Sequence, residues 1–277
     1  MSLTLVPASQ FSLETLTQAY NQTRVDYIVP MPMNASRLGE YIRIYDVDMD
    51  KSVVAQNDGE ILGINMLAVR PGRSWITRLG VLPSSRRQGA GNAMMTYLLE
   101  RSEEVGHDLC MLEVIHGNKP AHKLFIKHGF EERRELLILR RPPGETDAPD
   151  CSLEWFDFDG ALDLLHDYPG PLAWTNQPET YLNTGDALGL RCELAHGDCG
   201  WMIFRKQKFY LSHFVLHTES GDPSRVADTL LRLVHQRFPA LDTHTENIAS
   251  DDPHLSAFWA LGYVEAFRRI EMVRRRG

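Results

Sequence analysis

The sequence predicts an α/β fold built from two tandem copies of one unit of strands and helices. The order of predicted strands and helices in residues 1–140 recurs in residues 151–275. The segments at residues 124–130 and 257–263 both end in a glycine followed by an aromatic residue. At the same offset Glu113 aligns with Glu246 and Pro120 aligns with Pro253.

A proline-rich stretch near the midpoint separates the copies. Residues 142–150 contain three prolines and a glycine with almost nothing apolar, and such a segment is typical of a surface linker. A chain of 277 residues and 31.6 kDa is long enough for two domains. We therefore expect a first domain at residues 1–141, a linker at 142–150 and a second domain at 151–277.

Hydrophobic periodicity and turn residues place the elements of the first copy. The Asp58-Gly59 pair predicts a hairpin turn, and Gly106 predicts the end of a long helix. The predicted elements are helices at 12–22, 35–45, 92–105 and 121–128 and strands at 52–56, 61–69, 75–82, 109–115 and 136–140. In the second copy they are strands at 189–195, 201–205, 209–217 and 267–273 and helices at 224–238 and 255–261.

Composition excludes several classes of protein. Apolar residues make up 43 % and charged residues 24 %, which excludes a disordered chain. No segment has about 20 successive apolar residues, and residues 1–10 lack the pattern of a secretory signal. The four cysteines form no CxxC pair, which favours a reducing, cytoplasmic setting. We expect no membrane association.

The distribution of charge argues against nucleic acid as a partner. Residues 1–145 balance 17 basic against 17 acidic side chains, whereas the remainder has 12 basic and 20 acidic, so the net charge of −8 arises there. The one basic run, at residues 274–276, is typical of a solvated tail. The oligomeric state is left open by the sequence.

A glycine-rich turn joins the strand at 75–82 to the helix that follows it. Two glycines in such a turn allow backbone N–H groups to approach a ligand, and the first amides of a helix have no partner inside it. The helix dipole adds positive potential, so Gly89 and Gly91 predict a site for phosphate or pyrophosphate. The turn lacks the Gly-Lys-Ser/Thr of the P-loop and the third glycine of the dinucleotide fingerprint.

The run Arg86-Arg87-Gln88-Gly89-Ala90-Gly91 resembles the R/Q-x-x-G-x-G/A signature of the GNAT superfamily of acyl-CoA-dependent N-acetyltransferases. The strand ending at residue 82 and the Leu112-Glu113-Val114 segment with Asn118 are similar to the family's flanking elements. The resemblance covers residues 1–140 and extends more weakly over 151–275. It implies two tandem GNAT folds of the α/β class, each a mostly antiparallel mixed sheet with a splayed central strand pair flanked by helices.

The resemblance also implies that the first domain binds acetyl-CoA, without a metal. The pantetheine arm would pair with the backbone of Leu79 and Val81, and Asn118 would contact it. Backbone amides from Arg87 to Asn92 would hold the pyrophosphate, with charge from the side chain of Arg86 or Arg87. The expected cofactor-binding residues are Leu79, Val81, Arg86, Arg87, Gln88, Gly89, Ala90, Gly91, Asn92, Asn118 and Phe125.

Acetyl transfer to an amine requires a base, and usually an acid for the departing thiolate. The context of Glu113 resembles that of ribosomal-protein alanine acetyltransferases, in which the matching glutamate is the base, so Glu113 is the expected catalytic residue. Many relatives carry a tyrosine acid at the position of Phe125. Three explanations stay open: the thiolate leaves unassisted, Tyr27 or His116 substitutes, or turnover is slow.

Other clusters give weaker signals. His116, His122 and His128 do not have the spacing of metal ligands, so we expect no metal site. Asp46, Asp48 and Asp50 would either attract a cationic amine or form a solvated edge.

In the second copy, the segment matching the glycine-rich turn has two carboxylates and Pro223, so we expect a degenerate domain that does not bind CoA.

The predicted function is direct transfer of acetyl from acetyl-CoA to a primary amine of a small molecule or peptide. Two alternatives stay open. One is a non-catalytic acyl-CoA-binding or sensing protein, and the other is a tandem acetyltransferase similar to mycothiol synthases.

Overall fold

The computed structural model describes residues 3–276 and divides the chain into two compact units. The first unit comprises Met1–Arg133 and Ile270–Gly277, and the second comprises Arg134–Arg269. Met1, Ser2 and Gly277, at the outer ends of the two expected domains, lie outside the described residues.

The first unit is a mixed sheet with helices on it, and its strands lie in the order β1-β2-β3-β4-β5. All neighbours are antiparallel except β4 and β5, which are parallel. The side chain of Ser12 caps α1 and that of Asn34 caps α2. The elements are β1 (Leu3–Pro7), α1 (Leu13–Gln22), α2 (Ala35–Ile44), β2 (Val47–Asn57), β3 (Glu60–Arg70), β4 (Arg73–Val81), α3 (Ala90–Glu104), β5 (Leu109–Ile115) and α4 (Lys119–Lys127).

The second unit repeats this architecture with the strand order β6-β11-β10-β9-β8-β7. Here β10 and β11 are the parallel pair, and the other neighbours are antiparallel. The elements are β6 (Glu131–Arg141), β7 (Ser152–Phe156), α5 (Phe158–His166), α6 (Pro178–Thr184), β8 (Ala187–Glu193), β9 (Cys199–Lys206), β10 (Tyr210–Ser220), α7 (Pro223–Arg237), β11 (Asp242–Ala249), α8 (Leu255–Ala260) and β12 (Val264–Arg275). The same mixed arrangement of strands in both units confirms the predicted fold class.

The units are bounded differently from the domains expected at residues 1–141 and 151–277. Strand β6 comes from the first half of the sequence, but Leu137 and Leu139 pack in the core of the second unit. Strand β12 ends in the first unit, where Met272 is fully buried in the core. Each unit therefore contains a strand from the other half of the sequence, because its core is completed by the apolar residues of that strand.

Helix α3 forms the centre of the first unit's core. Met94, Met95 and Leu98 are fully buried and pack against apolar residues of the sheet, such as Val53 and Leu67. Burying these side chains removes enough apolar surface to hold α3 on the sheet. The N-terminus of α3 is thereby fixed relative to the ends of β4 and β5, where the candidate site lies.

Candidate active site

Strand β4 separates from its parallel neighbour halfway along its length. The pairing of β4 with β5 begins at Arg73 and Leu109 and ends at Ile76 and Leu112. Within β4, Ser74, Trp75 and Ile76 are buried, whereas residues 77–81 are all half-buried. This loss of pairing and the increase in exposure form a cleft between the two strands, as the resemblance implied.

A β-bulge bends β4 at the start of the cleft. Its register with β3 shifts between the pairs Met66 with Thr77 and Ile64 with Gly80, and Arg78 has a φ of 60°. Gly80 is required here because a Cβ atom would collide with the side chain of Thr23. The bulge therefore brings the end of α1 against the second half of β4.

The glycine-rich turn leads from the end of β4 into the N-terminus of α3. Gly89 occupies the N-cap position with a φ of 90°, a conformation that favours glycine, and no side chain caps the helix. The first amides of the helix, at Ala90, Gly91 and Asn92, consequently lack partners within it. A Cβ atom built on Gly89 would have no heavy atom within 4 Å, so open space lies over the turn.

The two arginines of the turn have different surroundings. The Arg86 guanidinium forms a two-pronged ion pair with Asp26, at 2.6 and 2.7 Å, and also donates to Val81 O. The hydrogen-bonded contact between Arg86 and Asp26 lowers the pKa of Asp26 and raises the pKa of Arg86. Arg87 and Gln88 are exposed, and the Gln88 amide donates to Ser84 O. Of the two arginines, Arg87 forms no ion pair with the described residues, and it is the one nearer the amides of α3 in sequence.

Glu113 lies on β5, one residue after the last pair with β4, and is half-buried. It lies within electrostatic range of Tyr41. Burial raises the pKa of Tyr41 to about 12, and Glu113 acts in the same direction, whereas Arg78 and the hydrogen bond to Thr77 oppose the rise. The carboxylate therefore lies at the cleft together with a buried phenol and a guanidinium.

Helix α4 holds two further expected residues, Asn118 at its N-cap and Phe125 near its C-terminus. Asn118 caps α4 by accepting from the amide of Ala121, and its Nδ2 lies 3.4 Å from the hydroxyl oxygen of Tyr27. Phe125 is 5 % exposed and packs edge-to-face with Phe130 in the core. Phe125 is therefore a core residue in this structure, and Tyr27 is the phenol beside Asn118.

Sequence reasoning missed a cluster of aromatic and basic side chains beside the cleft. The guanidinium of Arg24 stacks on the ring of Tyr20 at 3.9 Å, and that of Arg78 stacks on the ring of Tyr41 at 4.0 Å. The four-residue spacing of Tyr20 and Arg24 at the end of a helix was a usable signal. The position of Arg78 depends on the bulge, which leaves no mark in the sequence.

The acidic residues at 46, 48 and 50 are largely engaged within the fold. Asp46 forms an ion pair with the buried Arg70 at 2.7 Å. Asp48 accepts from the amides of Asp50 and Lys51 and also pairs with the Lys51 ammonium. These contacts are structural, and they account for two of the three carboxylates.

The matching turn of the second unit has a different chemistry. The carboxylate of Asp222 caps α7 by accepting from the amides of Ser224 and Arg225, and Pro223 removes one donor. Asp198 accepts from the amide of Asp222 and forms an ion pair with Arg225. The N-terminus of α7 thus has its own anion. Glu246, the counterpart of Glu113, pairs with Arg269 at 2.9 Å.

Within residues 3–276 there is no group of three or more His, Cys, Asp or Glu side chains that could hold a metal ion. Of the three histidines considered in the sequence, His122 contacts a single carboxylate: its Nε2 atom lies 2.6 Å from Oε1 of Glu132. No helix in this range is long and apolar enough to cross a membrane.

Comparison with protein families matches residues 16–130 to the acetyltransferase (GNAT) family. None of the curated proteins compared with the chain matches it. The match covers the cleft, the glycine-rich turn and α4.

Solved structures with the same fold extend over the whole chain. A tandem GNAT protein from the clavulanic acid biosynthesis pathway has a TM-score of 0.71 at 17 % identity, covering 100 % of this chain and 99 % of that one. A GCN5-related N-acetyltransferase from Sphaerobacter thermophilus has a TM-score of 0.70 at 12 % identity, covering 99 % and 96 %. A putative acetyltransferase from Pyrococcus horikoshii has a TM-score of 0.67 at 15 % identity, covering 99 % and 90 %.

Proposed function

Since this chain has the tandem GNAT fold and residues 16–130 match the GNAT family, we propose that its first unit transfers the acetyl group of acetyl-CoA to a primary amine. The observation that carries the proposal is the uncapped N-terminus of α3 at the open end of the cleft. A helix N-terminus of this kind favours a pyrophosphate group.

The residues present fit the cosubstrate. The open space over Gly89 leaves the amides of Ala90, Gly91 and Asn92 accessible, and Arg87 adds positive charge. The second half of β4, with Leu79 and Val81, is not paired with β5, so on that side it offers a strand edge to an extended amide-containing arm. Acetyl-CoA, when bound, supplies an acetyl thioester whose thiolate is a good leaving group.

Glu113 is the proposed general base. An amine must lose a proton to attack a carbonyl carbon, and a carboxylate at the cleft can accept that proton. The neighbouring phenol of Tyr41 does not compete as a base at neutral pH, because burial and Glu113 raise its pKa to about 12.

Tyr27 is the proposed proton donor for the departing thiolate. Phe125 has no proton to give and is packed in the core. The hydroxyl of Tyr27 lies beside Asn118, at the N-terminus of α4. Replacing Tyr27 with phenylalanine should lower the rate without changing the affinity for acetyl-CoA.

The proposal is tested by release of CoA from acetyl-CoA in the presence of a panel of primary amines. Glu113→Gln should lower kcat by about 10²- to 10⁴-fold at neutral pH, and the loss should shrink at high pH, where the amine deprotonates unaided. Glu60→Gln, an exposed change of the same kind at the start of β3, should leave the rate unchanged.

The outcomes separate the candidate functions. Amine-dependent CoA release that depends on Glu113 supports the proposed reaction. Tight binding of acetyl-CoA with no release for any amine would instead make the chain an acyl-CoA-binding protein. A Glu113→Gln variant with the wild-type rate would show that Glu113 is not the general base.

A further inference from the structure

Two arginines of the first unit share one buried aromatic ring beside the cleft. Tyr20 is fully buried, and the guanidinium carbons of Arg24 and Arg78 lie 3.9 and 5.5 Å from its ring centroid. The Nη1 atom of Arg78 also lies 3.4 Å from the hydroxyl oxygen of Tyr20. The ring thus holds two positive charges near each other, half-exposed at the cleft.

The charge of Arg24 is not balanced by a carboxylate of the described residues. Its guanidinium donates only to neutral oxygens, at 3.1 Å to Leu79 O, 2.9 Å to Thr23 Oγ1 and 3.5 Å to Tyr20 O. Burial lowers the pKa of Arg24, and the charge of Arg78 lowers it further. The nearby Asp26 gives no relief, because it is already paired with Arg86.

Several other arginines of the same unit, unlike Arg24, have a carboxylate partner. The buried Arg70 is paired with Asp46 at 2.7 Å, and even the exposed Arg86 has a two-pronged partner in Asp26. A partly buried cation is costly without a counter-charge. Arg24 is half-buried and therefore lies where an anionic ligand would be favoured.

The position of the pair relates it to the proposed reaction. Arg24 donates to the carbonyl of Leu79, at the point where β4 has left β5, and Arg78 is the bulge residue before it. Arg78 stacks on Tyr41, whose pKa is raised by burial and by Glu113. The two arginines and the proposed base thus lie at the same end of the cleft.

We propose that Arg24 and Arg78 form a carboxylate subsite, so that the acceptor is a primary amine that also carries a carboxylate, as an amino acid does. The inference rests on the proposed acetyl transfer and names its acceptor class. An arginine fork matches the two oxygens of a carboxylate, and the ammonium group of the same molecule is attracted by Glu113. A purely cationic amine lacks the group that two guanidinium ions favour.

The test compares amino acids with their carboxamide counterparts, which keep the amine and remove the negative charge. The quantity measured is the ratio of kcat/KM for the acid to kcat/KM for the amide. The two amines differ in intrinsic reactivity, but this difference is the same for every enzyme variant, so it cancels when the ratios of two variants are compared. Arg24→Gln should lower the ratio at least tenfold, and Arg24→Lys should retain part of it. The exposed change Arg37→Gln on α2 removes the same charge and should leave the ratio unchanged.

Calorimetry with the same pairs of compounds, in the presence of CoA, tests the subsite without turnover. Binding of the acid that weakens at least tenfold in Arg24→Gln supports the subsite even if no amine is acetylated, and that result would overturn the proposed reaction alone. An unchanged ratio and unchanged binding in a folded Arg24→Gln variant would overturn the subsite. A second result would also overturn the subsite. If Arg24→Gln lowers the rate with succinyl-CoA as the acyl donor but leaves the preference for acid over amide acceptors unchanged, Arg24 binds the carboxylate of the acyl group and not that of the acceptor.

Discussion

At the scale of single residues, the ion pair between Arg86 and Asp26 changes the role expected of a signature residue. The sequence left open whether Arg86 or Arg87 adds charge to the phosphate site. The Arg86 guanidinium is engaged by Asp26 and by the carbonyl of Val81, so its charge is already neutralised. Because both side chains of the pair are largely exposed and solvent screens their charges, we expect the pair to add little to the stability of the fold.

The buried His235, in the second unit, is expected to make the stability of the fold sensitive to acid. Its side chain is fully buried, with Nε2 2.7 Å from the hydroxyl oxygen of Tyr263, and burial lowers its pKa to about 3. Between about pH 6.5 and 3 the unfolded chain binds a proton that the folded chain does not. The free energy of unfolding should therefore fall as the pH falls through this window, by about 1.4 kcal/mol per pH unit for this group.

His235→Gln should remove that contribution, since a glutamine can bond to Tyr263 but does not titrate. The measurement is chemical denaturation at several pH values between 4 and 6.5. His166→Gln, on the exposed side of α5, is the control and should leave the pH profile in place. An unchanged slope in His235→Gln would show that His235 does not contribute to acid sensitivity. The half-buried His213, whose pKa is lowered to about 4 mainly by desolvation, should add a slope of the same sign.

At the scale of elements, the turn into α3 gives the most specific prediction. Gly89→Asp should abolish the binding of acetyl-CoA, because it puts a side chain and a like charge where the pyrophosphate is proposed to lie. Gly59→Asp, in the β2–β3 turn, is the matched control: its φ is 84° and it also has open space around its Cβ position. Both variants should lose similar stability, and only Gly89→Asp should lose affinity in calorimetry. If the two variants bind acetyl-CoA with equal affinity, the pyrophosphate site does not lie at this turn.

Elements with strong local signals were predicted well. The helix beginning near the two glycines and the strand at residues 109–115 were both expected, the strand with the bounds that the structure has. Apolar periodicity and turn residues are local properties, so they can be read from the sequence. The Glu113 position and the glycine-rich turn came from the same signals together with the family resemblance.

Elements without such signals were missed. Strand β11, with the sequence Asp-Thr-His-Thr-Glu-Asn-Ile-Ala, is too polar to show a strand pattern, and its order depends on pairing with β6 and β10. The short edge strands β1 and β7 were also not predicted. The cluster of Arg24 and Arg78 depends on the bulge in β4, which is a property of the assembled sheet.

At the scale of the whole molecule, the exchange of strands makes each half of the sequence depend on the other. Residues 270–276 belong to the first unit, and Met272 is fully buried in its core. Met272→Ala should therefore destabilise the first unit by about 2–5 kcal/mol, although the residue lies near the end of the sequence. The readout is hydrogen exchange at amides of β5.

The control for this prediction lies on the same strand. Val264 is 59 % exposed at the start of β12, so Val264→Ala should change the stability by less than about 0.5 kcal/mol. A chain that ends before Ile270 should likewise expose apolar surface of the first unit and aggregate. Full stability and activity of that shortened chain would contradict the strand exchange.

The two units differ most in their capacity for an anion. In the first, no side chain caps α3, whereas in the second the carboxylate of Asp222 caps α7. Calorimetric titration of the full-length chain with acetyl-CoA tests this central claim most directly. The account predicts one site per chain, which Gly89→Asp removes. Two sites per chain, or a single site that survives in Gly89→Asp, would contradict it.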